Sequence, residues 1–360
     1  MVSSNIPQKT WQQFVDAHPG GTVFLSPEMY ALFEATDKFR PLVLGAFDHN
    51  DLLCGLLMGV FIYEKNGWAK LLSSRFVVYG GPLLSGDENQ QQKTLELLLQ
   101  ALVKQTRRKA LFIQFRNFYD IKHWIPVFNK YNFTYLDRLN YIIDTRNPEA
   151  AIARLSESRQ RQIRKGMEKG ATIIEPVNIE QVRAFYDILY RLYRYKIRKP
   201  LPHWSFFENF YTLSKDQQNN AATAIPGQTP EQPGPESNKP IGIIRLIIYD
   251  DKVIGGILAP VFKNKCIYEW YVCGLDREYK DQYPSVLATW AGLEYAIENN
   301  IQAFDFMGVG KPGREYGVRD FKARFGGELV NYGRITRINN RFLYSIAELG
   351  YNVLALFKKI

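Results

Sequence analysis

The chain has 360 residues, of which 46% are hydrophobic and 14% aromatic, and a formal net charge of +10. Its length exceeds the usual single-domain range, so two domains or two repeated subdomains are expected, with ample material for packed cores. Three cysteines, Cys54, Cys266 and Cys273, are too few and too hydrophobically placed for a disulfide framework and fit a reducing compartment. The first fourteen residues, MVSSNIPQKTWQQF, hold no apolar h-region, which argues against a secretory signal. No run approaches 18 uninterrupted apolar residues, so no membrane-spanning helix is expected. A cytoplasmic protein follows as the expectation. The positive charge suits a polyanionic partner such as tRNA, a nucleotide-linked precursor or an anionic membrane, and equally suits a merely basic protein.

In chain order, the pattern predicts a helix near Gln8 to Ala17, a short strand around Thr22 to Leu25 and a second helix whose N-cap is Ser26 with Pro27 and Glu28 in its first turn. Pro41 to Ser74 has three strand-like runs, divided by turn signals at Asp48-His49-Asn50-Asp51 and Lys65-Asn66-Gly67. A helix from about Glu88 to Arg108 and a strand from Ala110 to Phe115 follow. Residues 150–169 read as a helical, arginine-rich connector. Next come an opening segment from Ala171 to Pro176 and a long helix near Ile179 to Ile197. Residues 216–239 hold four prolines and almost no apolar side chains, so a flexible insertion is expected there.

Beyond the insertion the earlier order recurs. Ile241 to Gly274 turns at Asp250-Asp251 and at Lys263-Asn264-Lys265, then a helix from about Tyr283 to Asn299 leads to a strand from Ala303 to Met307. Gly55 in the first copy answers Gly255 in the second. Two such patterns point to duplication. In each copy, antiparallel strands are joined by short turns, and one further strand is added after a helix crossover. The expected class is α/β with mixed sheets, in two tandem subdomains spanning residues 1–147 and 148–360. Arg341 to Lys359 reads as a C-terminal helix with one apolar face, packed on the body or lying on a membrane.

Metal and hydrolase chemistry find no support. The four histidines, His18, His49, His123 and His203, have no ligand spacing, and there is no G-x-S-x-G elbow. Gly308-Val309-Gly310-Lys311-Pro312-Gly313 formally matches G-x-G-x-x-G. However, a dinucleotide fingerprint must open a helix inside a parallel unit, whereas Pro312 and Gly313 prolong a turn. The loops after the equivalent strands, GLDREYKDQYPS (274–285) and FVVYGGPLLSGD (76–87), lack the R/Q-x-x-G-x-G/A pattern with which an acetyl-CoA enzyme holds pyrophosphate. No metal and no cofactor is expected.

Several stretches resemble the FemABX-like branch of the GNAT superfamily, the peptidoglycan-bridge aminoacyltransferases and their relatives. They are Gly21-Thr22-Val23-Phe24 with Ser26-Pro27, the loop Val77-Val78-Tyr79-Gly80-Gly81-Pro82, and the connector Arg159 to Gly166. To these are added Tyr190, Arg194 and Lys196 with Pro200 and Phe206-Phe207. The most specific is Phe304-Asp305-Phe306 with Phe321-Lys322 and Phe325-Gly326. The resemblance implies two tandem GNAT-like subdomains, here without the coiled-coil arm of some members, since no heptad run occurs. It implies Lys322 and Asp305 as catalytic candidates. Phe321, Arg194, Lys196, Tyr271, Tyr79 and Arg164 are the implied substrate-binding candidates, Arg194 and Lys196 being alternative alignments of one basic position.

The implied reaction moves an aminoacyl group from aminoacyl-tRNA to an amine of a peptidoglycan precursor. A rival is an N- or O-acyltransferase drawing on acyl-CoA or acyl-carrier protein in lipid or polysaccharide assembly, with a cell-wall or lipid-linked acceptor and peripheral contact with the inner membrane face. A second rival is a noncatalytic RNA- or membrane-binding module.

Overall fold

The structure is a computed structural model that describes residues 1–64, 73–222 and 241–346, with the side chains of 217–222 left aside. In chain order the strands are β1 (Val2–Ser3), β2 (Phe39–Phe47), β3 (Leu53–Ile62), β4 (Arg75–Tyr79), β5 (Leu83–Leu84), β6 (Phe112–Arg116), β7 (Thr134–Leu136) and β8 (Leu139–Asp144). They continue with β9 (Thr172–Ile174), β10 (Gly242–Tyr249), β11 (Lys252–Phe262), β12 (Cys266–Tyr268), β13 (Tyr271–Gly274), β14 (Ala303–Asp305), β15 (Glu328–Asn331) and β16 (Arg334–Ile338). The helices are α1 (Gln8–Ala17), α2 (Pro27–Ala35), α3 (Glu88–Thr106), α4 (Ile125–Lys130), α5 (Pro148–Ala153), α6 (Glu157–Glu168), α7 (Ile179–Leu192), α8 (Trp204–Ala222), α9 (Pro284–Glu298) and α10 (Gly317–Ala323).

Local chemistry explains many of these limits. The Ser26 hydroxyl accepts the Met29 N–H at 3.2 Å and Pro27 fills the first helical position, starting α2 as the sequence predicts. The turn between β10 and β11 is Asp250-Asp251, with φ of 52° and 56°, and the pair Tyr249–Lys252 closes it. Two left-handed residues give the tight hairpin whose twist matches its strands. The expected strand at Thr22–Leu25 is instead a 3₁₀ turn over Val23–Leu25. All three of its side chains are buried, and the Leu25 carbonyl accepts the Trp11 indole N–H at 2.6 Å. The long second-half helix stops at Leu192 and continues as a π-turn over Tyr193–Ile197, which Arg198 ends with φ of 56°.

Contacts divide the chain into two compact units, Met1–Asp137 together with the described residues from Tyr332 onward, and Arg138–Asn331. The first has an eight-stranded sheet in the order β1-β2-β3-β4-β6-β16-β7, with β5 paired to β3. Leu95, Leu98, Leu99 and Leu102 of α3 pack with Phe76, Phe115 and Phe128 in its core. The second has the order β15-β8-β14-β12-β11-β10-β9, with β13 paired to β11. Its core gathers Leu287, Ala291 and Leu293 of α9 with Ile257, Phe304, Phe306 and Phe325. Mixed α/β architecture in two repeats is thus the fold.

The repeat holds residue by residue. Gly55 pairs with Leu84 of β5 and Gly255 pairs with Gly274 of β13. In both copies the third strand is broken in two, β4 with β5 and β12 with β13. In both, its first half pairs in parallel with the strand after the crossover helix. The unit limits differ from the expected 1–147 and 148–360 because the last strands of the repeats are exchanged. β8 enters the second sheet between β14 and β15, and β16 returns to the first between β6 and β7. The connector becomes two helices, α5 and α6. Of the expected insertion, residues 216–222 continue α8, and 223–240 lie outside the described residues. Of the C-terminal helix, 341–346 are helical and the remainder lies outside them.

Candidate active site at the fork of the second sheet

In each unit the two parallel strands part after a short ladder. β12 and β14 pair through Tyr268 and Asp305, after which the Glu269 N–H donates to the Asp305 carbonyl at 2.9 Å. β4 and β6 pair through Tyr79 and Arg116, after which the Gly80 N–H donates to the Arg116 carbonyl at 2.8 Å. Past these points the strands diverge, because the chain bulges at Glu269-Trp270 in one copy and at Gly80-Gly81-Pro82 in the other. The two forks are bridged differently. In the first unit the Tyr119 hydroxyl donates to the Pro82 carbonyl at 2.8 Å, its ring lying against Gly20 and Gly81.

In the second unit the bridge is Lys322. Its ammonium forms an ion pair with Glu269 Oε1 at 2.6 Å and donates to the Phe306 carbonyl at 2.7 Å. Glu269 and Phe306 are the first residues beyond the last ladder pair on their two strands, so the cation sits in the crotch of the fork. The Phe306 ring lies 5.1 Å from it. The lysine side chain is 10% exposed and that of Glu269 is fully buried. Of the three N–H donors of a lysine, one is given to Phe306, while Glu269 serves as the counterion. Burial pushes the Glu269 carboxyl up, while the Lys322 ammonium and the Thr289 hydroxyl draw it back down.

Asp305 is buried beside this pair. Its Oδ1 accepts the Asn140 amide at 2.8 Å and the Met307 N–H at 2.6 Å. Burial raises its pKa from 3.8 to about 6, against the opposing pull of those hydrogen bonds and of Lys322. The folded chain therefore holds this proton where the unfolded chain has lost it. The associated stability is present below pH 3.8 and is lost as the pH rises through about 6, a difference of about 3 kcal/mol. Asp305→Asn should flatten the urea-unfolding free energy across that window, and an unchanged slope would show that Asp305 titrates normally.

The other expected residues are placed as follows. Phe321 lies partly buried with the Arg159 guanidinium 4.3 Å above its ring, and it borders a cavity of about 440 Å³ with Gln162, Tyr283, Asp320 and Arg324. Tyr271 is buried among Phe206, Phe207 and Trp270. Arg194 and Lys196 are exposed on the π-turn, Arg194 donating to the Tyr190 hydroxyl at 3.0 Å. Arg164 is exposed on α6. Tyr79 belongs to the first unit's fork, stacked on Phe24 with Arg116 5.1 Å from its ring. Lys322 and Asp305 are thus brought together, while Phe321 faces Arg159 and the cavity.

Two residues escaped the sequence reading. Glu269 was legible as the lone charge in the apolar run CIYEWYVCG. Arg159, in the arginine-rich connector, is only 3% exposed. It lies between Phe321 and Phe325 and donates to the Phe321 carbonyl at 2.9 Å.

The helices that follow the broken strands have their N-termini occupied. Asp87 caps α3, accepting the Gln90 N–H at 2.9 Å in a reciprocal capping box. Asp276 takes the Ser285 N–H at 3.0 Å and its hydroxyl at 2.6 Å at the start of α9. The anion-binding ends of both helices therefore already carry the chain's own carboxylates. The three glycines of residues 308–313 lie in a positive-φ loop that ends before α10, so no dinucleotide fingerprint forms.

The FemAB family matches residues 248–359. Among solved structures, FemX is similar at 14% identity over 96% of this chain and 99% of that one, with a TM-score of 0.66. A tandem GNAT protein from the clavulanic acid biosynthesis pathway, solved without AcCoA, matches at 9% identity over 94% and 99%, with a TM-score of 0.56. L-PGS from Bacillus licheniformis matches at 12% identity over 97% of each chain, with a TM-score of 0.53. No curated protein matches the sequence. No helix among the described residues is long and apolar enough to cross a membrane. Residues 248–359 thus match the FemAB family, and the fold along the chain is similar to that of FemX and of a tandem GNAT protein.

Proposed function

We propose that the chain transfers an aminoacyl group from aminoacyl-tRNA to an amine of a peptidoglycan precursor, with the Lys322 ammonium stabilising the charge that develops in the transfer step. The FemAB match and the FemX-like fold support the coarser statement, an aminoacyl transferase of the peptidoglycan-bridge or lipid kind. The observation that carries the finer reading is the position of the Lys322 ammonium at the fork, held between Glu269 and the Phe306 carbonyl. Attack of an amine on an ester carbonyl passes through a tetrahedral oxyanion, and one fixed donor aimed at it lowers the barrier by about 3 kcal/mol. The side chain loses no freedom on reaction, because Glu269 and the Phe306 carbonyl already hold it. Asp305 supports the loop that follows β14 by accepting the Met307 N–H. Arg194 or Lys196, together with Arg164, supplies exposed positive charge for phosphate groups.

The carboxylates of Asp87 and Asp276 disfavour the acyl-CoA rival. A pyrophosphate approaching either helix would meet like charge where a CoA enzyme offers free N–H groups. The test is transfer of a radiolabelled amino acid from charged tRNA to a precursor amine, run beside acyl-CoA and acyl-carrier-protein donors. Transfer from the tRNA is expected, with an apparent affinity that falls steeply with added salt as phosphate counterions are released. Turnover with acyl-CoA alone, or salt-independent use of the tRNA, would replace this reading with the acyltransferase one.

A further inference from the structure

We infer that Glu269 is the positioning residue for the transfer step, holding the Lys322 ammonium in the fork as its buried counterion. The inference rests on the transfer role given to Lys322 above and names the group that makes that role workable. A cation in so poorly solvated a site needs a counterion, and the fully buried Glu269 carboxylate lies 2.6 Å from the ammonium. The Phe306 carbonyl, on the opposite strand of the fork, accepts an N–H from it at 2.7 Å. Held from both strands, the ammonium is confined to the fork.

The surroundings leave this work to Glu269. Asp305 on β14 contributes attraction, but its oxygen is turned to Asn140 and Met307. Tyr268 and Cys266 on β12 are held neutral by burial, and the Thr289 hydroxyl of α9 carries no charge. On the far side, Arg159 of α6 is engaged with the faces of Phe321 and Phe325 and adds only repulsion. Glu269 also lies at the bulge that splits β12 from β13. The residue that opens the fork is therefore the one that holds the cation inside it.

The test is the effect on kcat and on KM of variants of this chain, measured with charged tRNA and precursor amine. Glu269→Gln keeps the shape and removes the counterion, so kcat should fall about tenfold or more while KM stays. Glu269→Asp keeps the charge and displaces it, so kcat should fall less, again with KM unchanged. The double variant Lys322→Met with Glu269→Gln should show no greater loss of kcat than Lys322→Met alone, because Glu269 acts only through the lysine. This comparison remains available if Glu269→Gln by itself folds poorly. Unchanged kcat in Glu269→Gln, or losses that multiply in the double variant, overturns the inference. Full turnover in Lys322→Met would instead bring down the transfer role of the lysine itself, so the two failures are distinguishable.

Discussion

Replacing Lys322 with methionine is expected to lower turnover roughly tenfold to a thousandfold and to cost the fold about 3–5 kcal/mol. Sequence alone suggests that only the first effect should appear, because methionine matches the length of the lysine chain and can pack beside Phe321 and Phe325. The ion pair changes that expectation. Without the ammonium, Glu269 is a fully buried carboxylate with no counterion, and breaking a buried pair from one side leaves the other charge uncompensated. Part of the lost stability should return as the pH is lowered and Glu269 takes up a proton, since burial already pushes its carboxyl up. Adding Glu269→Gln should restore most of the stability without restoring turnover. Urea unfolding and single-turnover kinetics on the three proteins separate the two effects. A double variant with normal stability and normal turnover would assign Lys322 to structure alone. Lys322→Arg should rescue little, because a planar guanidinium cannot meet both strands of the fork as a compact ammonium does.

The second large effect is expected at Gly326, in the turn that ends α10. Its φ is +82°, and a Cβ there would overlap the carbonyl oxygen of Arg154. The chain cannot back away, since the Gly326 N–H donates to the Ala323 carbonyl at 3.0 Å and the Ser156 N–H to the Arg324 carbonyl at 2.9 Å. Gly326→Ala therefore adds a backbone clash to an unfavourable dihedral and should cost about 3 kcal/mol or more. Gly313 provides the control. It also has positive φ, +69°, but nothing lies within 4 Å of the position its Cβ would take. Gly313→Ala should cost only the dihedral, about 1 kcal/mol. Equal losses at the two sites, measured by thermal or urea unfolding, would show that the Arg154 contact yields without cost. Because Gly326 anchors the helix carrying Lys322, Gly326→Ala should also depress turnover, whereas Gly313→Ala should leave the fork undisturbed.

Much of the fold was legible in local chemistry. The Ser26-Pro27 start of α2, the Asp250-Asp251 hairpin, the two crossover helices and the duplication that relates Gly55 to Gly255 all depend on residues a few positions apart, and a linear reading captures those. The same holds for the Phe321-Lys322 and Phe325-Gly326 pattern, which pointed to the residue that stands at the fork. Tertiary structure alone decided the exchange of β8 and β16 between the sheets, because antiparallel edges accept either strand and only the full ladder selects one. It also decided that Val23–Leu25 coils into a 3₁₀ turn, where three buried side chains and the Trp11 hydrogen bond outweigh strand propensity. It set Arg159 between two rings although its neighbours in the connector are exposed. Finally, it brought Glu269 from the bulge of one strand against Lys322 on a distant helix. No spacing in the sequence encodes that meeting, since the pairing of a buried acid with a buried base is fixed by where the strands part and by the low dielectric that makes each charge require the other.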